Sequence, residues 1–263
     1  MAADAASRLL GDLTSPEVAT RLSPRSILCL PIGSIEQHGP HLPLNTDVVL
    51  AEEFTRRMIA RWGVAYDLWQ LPTVSVSLAR EHEWAPGTLS LSLHTVTAML
   101  RDLARAVAHG TPTRNLAVIN GHGGNRGLLE ALLRDLRADF GLNACILHPA
   151  AWLVEANAGF PDVHGGRNET SLMLAAAPHL VRERHIAELK EPPDPALARA
   201  VILDAAVTWP WSSEEEALGH SGAIGAPADA SPEFGERLFE HVVAKAEGVF
   251  KLLLERQTLA CRS

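Results

Sequence analysis

Apolar and polar positions along this chain alternate between short buried runs and longer stripes at helical spacing. Residues 27–32 (ILCLPI) form an uninterrupted apolar run between Pro24 and Gly33, the pattern of a strand covered on both faces. Over 48–62, Val49, Leu50, Phe54, Met58 and Ile59 recur among charges, which predicts a helix. Residues 68–76 predict a second strand. From 94 to 109, Val96, Met99, Leu100, Leu103 and Val107 make a helical stripe that Gly110 ends. The alternation then repeats: a strand over 116–119, a helix over 125–140 with Leu128, Leu129, Leu132, Leu133 and Leu136, and a strand over 144–147. A helix is expected to begin near Glu169 and to stop before Pro178. A long one over 232–255 carries Phe239, Val242, Val243 and Ala246 on its inner face. Residues 191–195 (EPPDP) read as a linker or loop, and no element is placed from there to Gly225.

Strands alternating with helices imply an α/β fold, a mainly parallel sheet with helices on both faces. The length, 263 residues, suits one large domain over 1–263 with ample material for a core. Apolar residues at 47% and charged residues at 21% are those of an ordinary globular chain, not a disordered one. A net charge of −8 disfavours nucleic acid and anionic membranes as partners. No run reaches the length of a membrane span, and the acidic N-terminal stretch lacks a secretory pattern, so a cytoplasmic location is expected. Cys29 and Cys145 lie in apolar runs and read as small core residues; Cys261 sits in the tail.

In parallel α/β sheets, ligands collect beyond the carboxyl ends of the strands. The chemistry-bearing residues follow the strands directly. After the first strand comes GSIEQHGPHLPLNTD, in which Glu36 and His38, two apart, point to one side of extended backbone. A carboxylate and an imidazole so placed can grip a divalent ion. The chain then turns, and Asp47 has two oxygens with which to bridge two ions. An isolated E-x-H is a weak signal, and His41 reads equally as a structural histidine. The strand at 116–119 runs into NGHGGN, where three glycines let the backbone around His122 bend and approach a ligand closely. The turn lacks the pattern of a dinucleotide or P-loop site.

A third stretch, VHGGRNETS, joins His164 to Glu169 at a helix start. Glu169 fits both a helix-capping carboxylate and a metal ligand. His164 is a candidate acid/base group, and Arg167 either holds a substrate carboxylate or makes a surface ion pair. In EHEW, before Pro86-Gly87, His82 and Trp84 either contact substrate or shape a loop near the mouth of the site. Lone aromatics such as Trp152 and Phe160 read as core more readily than as substrate contacts.

Taken together, GSIEQHGPHLPLNTD, EWAPGTLSL, NGHGGN and HGGRNETSLML resemble the creatininase family in order and rough spacing, with a looser likeness at LGHSGAIGAPADASPEFGERL. The resemblance implies a three-layer α/β/α fold, a binuclear metal site, hydrolysis of an amide, lactam or peptide C–N bond, and a homohexamer. Glu36, His38, Asp47 and His122 match the family's metal ligands, with Asp47 in the bridging place. Creatininase itself has a glutamate ligand where this chain has Gly124, and an acid where it has Val163. Glu169 is then the nearest replacement ligand, and creatinine is not the expected substrate. The wording HGGRNETS is similar to the branch of mycofactocin-peptide peptidases; other branches cleave formamides or a cyclic ketone C–C bond.

The implied chemistry uses two divalent ions per chain (Zn, with Mn or Fe as alternatives) that share a bridging water as hydroxide, with His164 protonating the leaving nitrogen. Two rivals stand outside hydrolysis: a protein with a purely structural metal, and a metal-free ligand-binding module.

Overall fold

The computed structural model describes residues 7–153, 161–189, 195–204 and 206–260. The elements run α1 (Ser15–Arg21), β1 (Ile27–Ile32), α2 (Thr46–Trp62), β2 (Leu68–Gln70), α3 (Leu93–Gly110), β3 (Asn115–Asn120), α4 (Arg126–Phe140), β4 (Asn143–Leu147), α5 (Pro149–Leu153), α6 (Arg167–Ala176), α7 (Pro195–Ala198) and α8 (Pro232–Ala260). The strands form one parallel sheet in the order β2-β1-β3-β4, with Ile27 opposite Leu68 and Asn115, and Asn115 opposite Asn143.

The fold is α/β, layered as the sequence implies. Alternate side chains of each strand enter opposite cores. Ile27, Cys29, Ala117, Ile119 and Leu147 pack with α2, α6 and α8 around Phe54, Met58, Leu172, Phe239 and Phe250. Leu28, Leu30, Ile32, Leu116 and Val118 pack with α3 and α4 around Val96, Leu100, Leu129 and Leu132. Both faces being covered explains why β1 and β3 read as continuous apolar runs.

Element ends shift from the sequence pattern for identifiable reasons. The second strand stops at Gln70 because Pro72 cannot donate to a ladder; only Val74 returns to pair with Ile32. Pro31 is tolerated inside β1 for the complementary reason. Its carbonyl faces the β2 side, where it accepts from Val74 N at 3.0 Å, so its missing N–H falls where the β2 ladder has ended. Helix α2 starts earlier than expected, at Thr46, which sets Asp47 in its first turn, where the helix dipole favours a negative charge. Helix α6 begins at Arg167, and α8 runs past Glu255. Past β4 the sequence pattern was thinnest. Helix α7 and one π-helical turn (Arg199–Leu203) appear there, followed by an irregular stretch over 206–225. The expected linker at 191–195 lies outside the described residues except for Pro195, as do Phe160 and Cys261. Trp152 packs against the α8-side core.

The strand order reverses between β1 and β3: from β1 the chain steps outward to β2, then crosses to β3 and on to β4. Parallel strands end on one edge, so the loops after β1 and β3 meet at this switch point, where such sheets bind ligands.

Candidate metal centre

The loop after β1 delivers Glu36, Gln37 and His38, and the loop after β3 delivers His122. Asp47 comes in at the start of α2, close against the β3 loop. A Cβ at Gly121 would stand 2.4 Å from the Asp47 carbonyl oxygen, so only glycine lets the two segments approach this far. Glu81 and His82 arrive on a 3-10 turn (Arg80–His82), His164 just before α6, and Glu169 in its first turn.

These side chains converge on one buried cluster. Asp47 turns Oδ1 to His38 Nε2 (3.0 Å) and Oδ2 to His122 Nδ1 (3.1 Å). Glu36 Oε1 lies 3.2 Å from His122 Nδ1, 3.4 Å from His82 Nε2 and 3.8 Å from His164 Nδ1. Glu169 Oε2 lies 3.8 Å from His38 Nε2. The ring of His164 lies between two others, stacked on His82 with centroids 4.0 Å apart and tilted by 35° to His38 at 4.2 Å. Among the described residues three groups have the proximity to hold an ion: Glu36, Asp47 and His122; His38, Asp47 and Glu169; and Glu36, His38 and His164. Asp47 belongs to the first two, through different oxygens.

Whether the donors fit a cation is decided by what they lack. Both oxygens of Glu36 and Oδ2 of Asp47 are buried with no hydrogen bond. Buried carboxylates whose neighbouring imidazoles are not aligned to donate are costly unless a cation compensates them, and carboxylate plus imidazole is a donor set suited to Zn, Mn or Fe. Burial pushes the Glu36 carboxyl up, and the Asp47 charge pushes the same way, against His122 and His38. Burial would raise Asp47 too, yet His38 and His122 hold it well below the usual carboxylate range. Burial opposes protonation of His38 and His122. The facing carboxylates win: His38 is pushed up to about 10 by Asp47, Glu169 and Glu36, and His122 well above an ordinary histidine, chiefly by Glu36. Burial and neighbouring imidazoles push His82 down to about 3 and His164 well below its ordinary value. Protons on His38 and His122 thus stand in for part of the positive charge the carboxylates require.

Glu169 caps its helix and also stands within the cluster. Its Oε2 accepts the Gly165 N–H at 2.6 Å, as a helix-capping carboxylate does, and belongs to the cluster as well. Loss of hydration pushes its carboxyl up to about 7, with Asp47 and Asp162 adding to the rise against His38. His41 supports α6, its Nε2 lying 2.8 Å from Thr170 Oγ1.

The remaining site expectations divide. His82 is not at the mouth but fully buried against Glu36. Trp84 is at the rim, 41% exposed, its Nε1 donating to Ser213 Oγ at 2.9 Å. Arg167 is not brought to the cluster: its guanidinium lies 4.0 Å over the Phe234 ring and its Nε donates to the Asp229 carbonyl, fastening α6 to α8 and the turn before it.

Gln37 and Ser213 escaped the sequence reading. Gln37 Nε2 lies 2.9 Å from Ser213 Oγ, 3.0 Å from the Gly222 carbonyl and 3.0 Å from His82 Nδ1; Ser213 Oγ in turn lies 2.7 Å from His82 Nδ1. They seat the 211–224 stretch over the cluster. Gln37 alternates with Glu36 and His38 along the backbone, a signal that it faces the other way. Ser213 lies in a stretch without a pattern.

A family model described as creatinine amidohydrolase matches residues 11–249. The chain belongs to the creatininase family. The mycofactocin precursor peptide peptidase of Mycobacterium tuberculosis (strain CDC 1551 / Oshkosh) is 30% identical over 241 residues, covering 89% of this chain and 88% of the relative. The creatinine amidohydrolase of Pseudomonas putida is 32% identical over 203 residues, covering 66% of this chain and 74% of the relative. A solved mutant creatininase of Zn–Zn type superposes with a TM-score of 0.73 at 27% identity over 95% of this chain and 98% of that one. A creatininase described as Mn gives 0.72 at 26% identity over 95% and 98%. Membership of the creatininase family makes this chain a hydrolase of the amidohydrolase and peptidase kind, and its buried clusters fit the metal dependence. No helix among the described residues is long and apolar enough to cross a membrane.

Proposed function

We propose that this member of the creatininase family is a binuclear metal-dependent hydrolase that cleaves a peptide-type amide C–N bond. The observation that carries it is Asp47, whose two oxygens each complete a buried group of metal-suited donors: Glu36, Asp47 and His122 on one side, and His38, Asp47 and Glu169 on the other. Those residues would hold two divalent ions, Zn first and Mn or Fe as alternatives. Ions bound there would acidify a water for attack on the carbonyl and stabilise the charge that develops.

The chain's own residues then orient and exclude. His164, buried, keeps its Nε2 proton on the Gln37 carbonyl and turns an unprotonated Nδ1 to the cluster, and it is assigned the transfer of a proton from the attacking water to the leaving nitrogen. His82 lies beside it, and Gln37 and Ser213 hold the 211–224 stretch across the site, which keeps bulk water from the donors. Trp84 at the rim offers an exposed indole face to a substrate side chain.

A peptide amide is preferred over creatinine because the peptidase relative aligns over most of the chain, whereas the creatinine amidohydrolase relative aligns over two-thirds. The departures at Gly124 and Val163 favour the same choice. A hexameric assembly completes the proposal by resemblance, and a cytoplasmic setting is carried over from the sequence pattern. The test is elemental mass spectrometry of protein purified without chelator, followed by assay against peptide amides, lactams including creatinine, and formamides. About two ions per chain with chelator-sensitive peptide cleavage is expected. Turnover of creatinine alone would reverse the substrate choice, and absence of restorable metal would reject the centre.

A further inference from the structure

The imidazoles of the two-sided centre each present one nitrogen to the carboxylates, and the other nitrogen needs a partner of its own. His38 directs Nε2 to Asp47 and Glu169, and its Nδ1 lies 3.1 Å from the Glu36 carbonyl. His164 directs Nδ1 to Glu36, and its Nε2 lies 2.6 Å from the Gln37 carbonyl. Backbone oxygens therefore fix both of those tautomers. His122 directs Nδ1 to Glu36 and Asp47, and its buried Nε2 has no hydrogen bond. An imidazole that ligates through Nδ1 carries its proton on Nε2, so this N–H requires an acceptor. The oxygen that faces it is Oε1 of Glu81, at 3.6 Å.

The place of Glu81 is made by the absence of a side chain opposite. A Cβ at Gly124 would stand 2.3 Å from Glu81 Oε1 and 2.5 Å from His122 Nε2, so any other residue would displace both. The Glu81 side chain is only 16% exposed. Its backbone is tied as well: the Glu81 carbonyl accepts the Ser213 N–H at 3.0 Å and the Ser212 hydroxyl at 3.2 Å. A carboxylate is thus held on the far edge of the His122 ring from the ligand atoms, where it contributes no donor to the ions themselves.

We propose that Glu81 is a positioning residue: it accepts the Nε2 proton of His122 and so fixes the tautomer and ring orientation of that ligand, in a carboxylate–imidazole–metal arrangement. A small rotation of either side chain closes the 3.6 Å gap to a hydrogen bond. The assignment rests on the metal reading of the centre. It also accounts for two features that the ligand set leaves aside, an unmatched buried imidazole nitrogen and a glycine whose missing side chain leaves room for Glu81.

The test compares wild type, Glu81→Ala and Glu81→Gln, each loaded with Zn, by chelator competition and by proton–nitrogen correlation spectra of the histidine rings. The alanine variant is expected to weaken one Zn equivalent by roughly 10- to 100-fold and to lose a downfield, slowly exchanging Nε2–H signal. Glutamine keeps an oxygen acceptor and should recover most of both. Should the alanine variant not fold, Glu81→Met, close in volume and without the acceptor, takes its place. Unchanged Zn affinity and an unchanged ring signal would overturn the positioning role while the metal reading stands. Equal loss in the alanine and glutamine variants would overturn it too. A folded wild type that takes up no Zn overturns the metal reading, and the role of Glu81 with it.

Discussion

Asp47 Oδ1 stands 3.0 Å from His38 Nε2, with both side chains closed to solvent. The other oxygen of the same carboxylate is 3.1 Å from His122, so one residue divides its two acceptors between two histidines from different loops. If these are the two halves of a shared metal site, Asp47→Asn should damage both, because an amide keeps one oxygen and puts a donor where the second stood. Metal content is expected to fall from about two ions to one or none. Affinity should drop by more than the roughly 10- to 100-fold that outer partners of a metal site cost. Elemental mass spectrometry checks it; an Asn variant holding two ions would remove Asp47 from the bridging place.

The pH dependence of stability follows from the same pairs. In the metal-free protein His38 is pushed up to about 10 against an unfolded value of about 6.5. The folded state therefore binds the proton more tightly. Its contribution is full below about pH 6.5 and is lost as pH rises through 10. His122 shifts in the same direction, and the Glu169 carboxyl, raised to about 7, loses its contribution as pH rises through that value. His82, held down to about 3, acts oppositely but only below about 6.5, where acidification favours the unfolded chain. Bound metal needs the unprotonated imidazoles, so it gains as protons leave. The gap in melting temperature between Zn-loaded and metal-free protein should widen steadily from about pH 6.5 to 9. A gap that narrows over this window would contradict the assignment of His38 and His122 as ligands.

His164→Ala separates proton delivery from ligation. His164 Nδ1 is 3.8 Å from Glu36 Oε1, close enough to be grouped with Glu36 and His38 as possible donors. As a proton donor, its loss should lower kcat by roughly 10²- to 10⁴-fold with two ions retained. Loss of an ion together with activity would make it a ligand instead.

The fold and the meeting of the candidate residues were legible in the sequence for one reason: both depend on local order. β1 and β3 are buried on two faces, so their apolar runs are continuous, and the residues just beyond them are placed by chain continuity alone. Glu36, His38 and His122 follow from that logic. Arg167 and His82 do not, because their destinations depend on side-chain direction in a helix start and a 3-10 turn. One fastens α6 against Phe234, and the other is drawn inward beside Glu36. The stretch from 206 to 225 was illegible because it is held by hydrogen bonds from distant residues rather than by apolar periodicity.

Gly121→Ala tests how the two loops approach. The added Cβ would fall 2.4 Å from the Asp47 carbonyl oxygen and 3.1 Å from Ala51 Cβ, both on the first turns of α2. Backbone cannot yield cheaply there. A loss of about 1–3 kcal/mol is expected from overpacking, with weaker metal uptake because Asp47 moves with its helix. Chemical denaturation with and without Zn measures both; a variant of wild-type stability would mean the loops have slack that the geometry denies.

Ser213→Ala asks what the covering stretch contributes. Trp84 Nε1 donates to Ser213 Oγ at 2.9 Å, and the same hydroxyl lies 2.7 Å from His82 Nδ1. A hydroxyl that accepts from the indole can donate to Nδ1, which leaves the His82 proton on Nε2, facing Glu36 at 3.4 Å. Removing the hydroxyl leaves Gln37 Nε2, at 3.0 Å, as the remaining partner of His82 Nδ1 and deprives the Trp84 and Gln37 donors of an acceptor, at a cost of about 1–3 kcal/mol. No ligand in either Asp47-sharing group is touched, so two ions should remain. The changes should appear elsewhere: a shifted Trp84 fluorescence, faster proteolytic cutting between 206 and 222, and a higher KM. Loss of metal without faster cutting would place His82 inside the ligand set and make Ser213 a support of the metal rather than of the cover.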